Sequence, residues 1–69
     1  MTKLKFWFQS QTPTERKKFI DNVIDCTGIS SRKTIYNYLN TEPPKLTKQL
    51  ICSFTNIPIY EMYEQVKTL

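Results

Sequence analysis

The side chains best suited to recognising another molecule are concentrated in Cys26-Thr27-Gly28-Ile29-Ser30-Ser31-Arg32-Lys33-Thr34-Ile35-Tyr36-Asn37-Tyr38-Leu39-Asn40. On a helix starting after Gly28, Arg32, Tyr36 and Asn40 stack at i, i+4 spacing, as do Lys33 and Asn37, so cations, amides and hydroxyls share an outer face. A guanidinium can bond a guanine edge bidentately and an amide an adenine edge, while hydroxyls can bond phosphate or base. This assigns Ser31, Arg32, Lys33, Tyr36 and Asn37 as candidate base contacts on double-stranded DNA. No carboxylate occurs from Cys26 through Thr41, so nothing in this stretch would repel a phosphate backbone. Phosphate contacts are expected from Ser30, Thr34 and Asn40 beside that face. They are also expected from Arg16, Lys17 and Lys18 at the start of the preceding helix, and from Lys45 and Lys48 at the start of the following one, because helix N-termini with nearby cations attract anions.

Other chemistries lack their residues. The chain has no His and only Cys26 and Cys52, which excludes a His/Cys metal cage, a Ser-His-Asp triad and a Cys-His dyad. No paired carboxylates suggest acid-base work, so no catalytic residue, metal, cofactor or small-molecule ligand is expected, and the chain is not read as an enzyme. Without CxxC spacing, the two cysteines read as free, reduced and mostly packed. Ten Lys and Arg against six Asp and Glu give a net charge of +4, which favours a polyanionic partner. The longest apolar run, Phe6-Trp7-Phe8, is far too short for a membrane span or a signal-peptide core, so no membrane association and a cytoplasmic location are expected.

With 69 residues, of which 39% are hydrophobic and 23% charged, there is material for one domain with a small core. Thr12-Pro13-Thr14-Glu15 reads as a helix start: Thr12 caps, Pro13 suits the first helical position, and Glu15, three residues on, completes a capping box. A helix is expected over about 13–27, its stripe Phe19, Ile20, Val23 and Ile24, ended by Gly28 in the left-handed region. Ser30 or Ser31 can cap a second helix over about 31–40, with Ile35, Tyr38 and Leu39 inward. Pro43 and Pro44 then impose a loop. A third helix is expected over about 45–55 with the stripe Leu46, Leu50, Ile51 and Phe54, and a last one over about 58–66 with Ile59, Met62, Tyr63 and Val66 inward. Residues 3–9 fit a short helix better than a lone strand, which would need an edge from another chain. Packing is the expected role of Phe6, Trp7 and Phe8. The fold class is therefore all-α, a compact four- to five-helix domain with a central helix-turn-helix.

Gly28-Ile29-Ser30 and Thr34-Ile35-Tyr36-Asn37-Tyr38-Leu39 resemble the two halves of the helix-turn-helix in the Cro and phage-repressor (lambda-repressor-like) class. In this chain the interval from Gly28 to Ile35 is one residue longer than is usual there. Leu46 to Glu64 looks like that class's last two helices, with Asn56 where a Gly often stands, so the resemblance spans roughly residues 13 to 66. It implies a small transcription regulator of phage or mobile-element type, acting in the cytoplasm of a bacterial or infected cell. A head this size reads few base pairs, so a homodimer is expected at least on DNA. The alternative is a protein-interaction module of the same helical fold binding an acidic or regulatory partner.

Overall fold

In the computed structural model, which describes residues 1–66, each helix is framed by its own local signals. The first helix, α1, spans Lys3–Gln9. Thr2 caps it by accepting the Lys5 N–H at 3.1 Å. Helix α2 covers Pro13–Thr27 behind a Thr12 cap that accepts from Glu15 N at 3.2 Å, and it stops at Gly28, whose φ is 74°. A six-residue α3, Arg32–Asn37, is capped by Ser31. The last helix, α4, runs Lys45–Thr55 and ends at Asn56, with φ 60°; a short amide side chain tolerates that left-handed turn better than most.

The domain is all-α. No named strand is present among the described residues, which hold only an isolated antiparallel bridge between Thr2 and Gln65. Leu4, Phe8, Phe19, Ile20, Val23, Ile35, Leu39, Ile51 and Met62 form one buried cluster, so every helix contributes to the same core. The Cα radius of gyration is 11.3 Å, close to the about 11 Å expected for a folded chain of this length. Aromatic pairs join α1 to α2: Trp7 meets Phe19 edge-on at 5.2 Å and Phe8 lies tilted to it at 5.9 Å, centroid to centroid.

Two expected helices come out differently. The one placed over 31–40 is helical only over Arg32–Asn37, after which i→i+3 bonds from Leu39 N to Tyr36 O and from Asn40 N to Asn37 O tighten the chain into turns. In these turns the carbonyls of Tyr38 and Leu39 accept from the hydroxyls of Tyr63 and Thr2, so the segment is held by contacts from distant parts of the chain and not by a helical ladder. The helix placed over 58–66 is a single turn, with Met62 N bonded to Pro58 O at 3.1 Å. Beyond it the backbone turns to α1. Lys3 N and Leu4 N donate to Glu64 O and Met62 O at 2.9 and 3.0 Å, and Val66 N donates to Met1 O at 2.8 Å. The first amides of α1 are orphans of helix geometry, and the C-terminal segment supplies their acceptors.

Three side chains expected to pack are exposed instead. Leu46 is 80% exposed on the rim of a hollow next to the end of α2, and Phe6 is 55% exposed on the outer side of α1. Cys26 is exposed as well, whereas Cys52 packs partly against the core.

Candidate nucleic-acid interface

The joint between α2 and α3 is built from short-range bonds. Gly28 N donates to Ile24 O at 2.9 Å, the Thr27 hydroxyl donates to Val23 O at 2.6 Å, and the same oxygen accepts from Ile29 N at 3.3 Å. Ile29 packs against the core from within the turn, and Ile35 and Leu39 sit under α3, so the helix is seated by apolar side chains on its inner side. Ser31, Arg32, Lys33, Tyr36, Asn37 and Asn40 are all exposed, as are Lys17, Lys18, Ser30 and Lys45. Thr34 is half-buried, its N–H accepted by Ser31 Oγ at 3.4 Å.

Thr2, before α1, and Tyr63, after α4, both meet the end of α3. The buried Thr2, 3% exposed, donates its hydroxyl to the carbonyl of Leu39 while the same oxygen caps α1. The Tyr63 hydroxyl donates to the carbonyl of Tyr38. These two carbonyls belong to the turns in which α3 finishes, so side chains far away in sequence hold it in place. Burial, followed by the nearby Glu42 carboxylate and Tyr38, pushes the Tyr63 phenol pKa well above its usual value, so the donor keeps its proton at neutral pH.

Several candidate contact residues have partners within the protein. Arg32 Nη2 lies 2.6 Å from Asp21 Oδ1, an ion pair from α3 back to α2. Arg16 donates from Nε to Phe8 O at 3.2 Å and from Nη2 to Gln9 O at 2.6 Å, so its guanidinium closes the carbonyl end of α1. Lys48 pairs with Glu42 at 3.3 Å and lies 5.6 Å from the Tyr63 ring centroid, with its side chain only 19% exposed. Lys18 pairs with Glu15 at 3.6 Å. The Tyr36 ring meets Phe8 edge-on at 5.7 Å, which fixes its orientation beside α1.

The ion pairs sort the charge. Of the six acidic residues, Glu15, Asp21, Glu42, Glu61 and Glu64 lie within 4.0 Å of a cation. Lys5, Lys17, Lys33 and Lys45 make no ion pair among the described residues. Of these four, Lys5 is the one outside the candidate contacts, since the pattern of residues 3–9 points to a short helix with a packing role. Asp21 was missed too: its pairing with Arg32 depends on how the Gly28 turn folds α3 back onto α2. Among the described residues no cluster of His, Cys, Asp and Glu could hold a metal ion, and no helix is long and apolar enough to cross a membrane. Comparison with family models, with curated proteins and with solved structures gives no match.

Proposed function

We propose that this chain is a sequence-specific double-stranded DNA-binding protein, a small transcription regulator that reads the major groove with α3 in the manner of the Cro and phage-repressor class. The observation that supports this most is the two-sidedness of α3. Its inner side is anchored by Ile35 and Leu39, and its outer side exposes Arg32, Lys33, Tyr36 and Asn37 after a tight glycine turn. A major groove about 12 Å wide admits one helix, and a short helix held at both ends can enter it without losing its orientation. Arg32 and Asn37 are the proposed base readers. Lys17, Lys33 and Lys45 supply charge not already taken by a carboxylate among the described residues. Two copies on neighbouring half-sites would raise affinity to a useful level, and the exposed Leu46 and Phe6 are available for that association.

Selection from a random duplex pool followed by gel shift at increasing salt tests the reading. A log-log slope approaching the number of phosphate contacts is expected, with Arg32→Ala and Asn37→Ala relaxing sequence preference and Lys17→Ala weakening all duplexes alike. Failure to bind any duplex at low salt refutes the DNA reading, and capture of an acidic protein in its place would favour the interaction-module alternative. Equal, sequence-independent losses in all three variants would refute the assignment of the base readers.

A further inference from the structure

Beside the outer side of α3 lies a cleft of about 400 Å³ to which α1, α2 and the turns after α3 all contribute. Lys5 and Arg16 bring two cations to it, Asn37 and Asn40 two amides, and the edge-paired rings of Phe8 and Tyr36 form part of its wall. No carboxylate lines it among the described residues. Arg16 is immobilised there by its bonds to the Phe8 and Gln9 carbonyls and by the Phe8 ring, 5.8 Å from its guanidinium carbon; these bonds use Nε and Nη2 and leave Nη1 unclaimed among the described residues. Lys5 has no carboxylate partner among the described residues. A concave site with two cations, several amide donors and no acid is complementary to an anion. Because Tyr36 and Asn37 belong both to this cleft and to the outer side of α3, an anion seated here is continuous with whatever α3 reads.

We propose that this cleft seats a backbone phosphate of the bound DNA duplex, with Lys5 as its mobile cation and Arg16 as its fixed one, so that α1 forms part of the interface. The proposal rests on the DNA reading above and extends it to a helix that the sequence pattern assigned to packing. Arg16 cannot be removed without uncapping α1, whereas the Lys5 ammonium has no hydrogen-bond or ion-pair partner among the described residues, which makes Lys5 the position to change. Salt-dependent binding of the full chain to its selected duplex and to an unrelated duplex is compared for wild type, Lys5→Gln and Lys5→Arg, with helicity measured for each. The expected result is a log-log slope smaller in magnitude by about 0.9 for Lys5→Gln on both duplexes, and an unchanged slope for Lys5→Arg, because one neutralised phosphate contributes about that much. A Lys5→Gln slope equal to that of a wild type that binds duplex overturns the cleft site and leaves the α3 reading intact. A wild type that binds no duplex overturns both.

Discussion

Tyr63→Phe isolates the bond that holds the end of α3. The substitution removes one hydroxyl and keeps the ring, so packing beside Lys48 and the core is retained while the Tyr38 carbonyl loses its donor. A typical intramolecular hydrogen bond contributes about 0.5–1.5 kcal/mol net. The Tyr63 site is only half-buried, so water can replace part of what is lost, and a destabilisation of about 1 kcal/mol is expected. For a domain of this size that lowers Tm by about 4–8 °C. The effect has a pH signature. In the unfolded chain the phenol loses its proton near pH 10. In the folded protein, burial first and Glu42 and Tyr38 next hold the proton to higher pH. Above about pH 10 the folded state therefore binds more protons than the unfolded state, and the contribution of Tyr63 to stability falls as pH rises, by at most about 1.4 kcal/mol per pH unit. Below that pH it is fully present. Thermal melts followed by far-ultraviolet circular dichroism should show a gap between wild type and Tyr63→Phe that is constant from neutral pH to about pH 9 and narrows above about pH 10. A gap that stays constant through the alkaline range, or no gap at neutral pH, would refute the role given to this hydroxyl.

Asp21→Asn should release Arg32 from its ion pair at a cost of less than about 1 kcal/mol, because the pair is exposed. Gel shifts should then show tighter binding to all duplexes, from the lost negative charge, together with weaker discrimination at the base Arg32 reads; unchanged affinity and preference would show that Asp21 does not act on the interface. Gly28→Ala meets no atom within 4 Å, so its cost is conformational alone. A loss of about 1 kcal/mol in a denaturant melt is expected for a side chain forced into the left-handed region, and an undiminished midpoint would contradict that backbone geometry. In the native protein Cys26 should react with a thiol reagent well before Cys52, since one is exposed and the other packs against the core. Equal rates would place both at the surface.

Much of the helical framework is written in adjacent residues. Thr12-Pro13 and Gly28 bracket α2, Asn56 ends α4, and Ser31 opens α3, because caps and left-handed turns depend on side chains within a few positions of the backbone they serve. The early stop of α3 is not written in adjacent residues: the turn carbonyls of Tyr38 and Leu39 take hydroxyls from Tyr63 and Thr2, far away in sequence. The last segment misleads for a different reason. Ile59, Met62, Tyr63 and Val66 have helical spacing, and Met62 is fully buried, but an apolar pattern records which side chains go inward and not which partner the backbone takes. Here the carbonyls of Met62 and Glu64 go to the first amides of α1.

The candidate interface divides along the same line. Composition alone excludes His-dependent catalysis, and the stretch from Cys26 to Thr41 alone shows cations and amides without a carboxylate. Which of those cations are already occupied was decided by tertiary structure. Arg16 closes α1, Arg32 pairs with Asp21 and Lys48 with Glu42, while Lys5 is left without an acidic partner among the described residues. Likewise Thr2 and Tyr63 reach Leu39 and Tyr38 across sequence separations of 37 and 25 residues. A capping side chain and its amide are neighbours in any conformation of the chain, so sequence suffices to pair them. An ion pair or a hydrogen bond between distant segments exists only after the core around Leu4, Ile20, Ile35 and Ile51 has brought the helices together, and only then does the chain acquire the surface it presents to a partner.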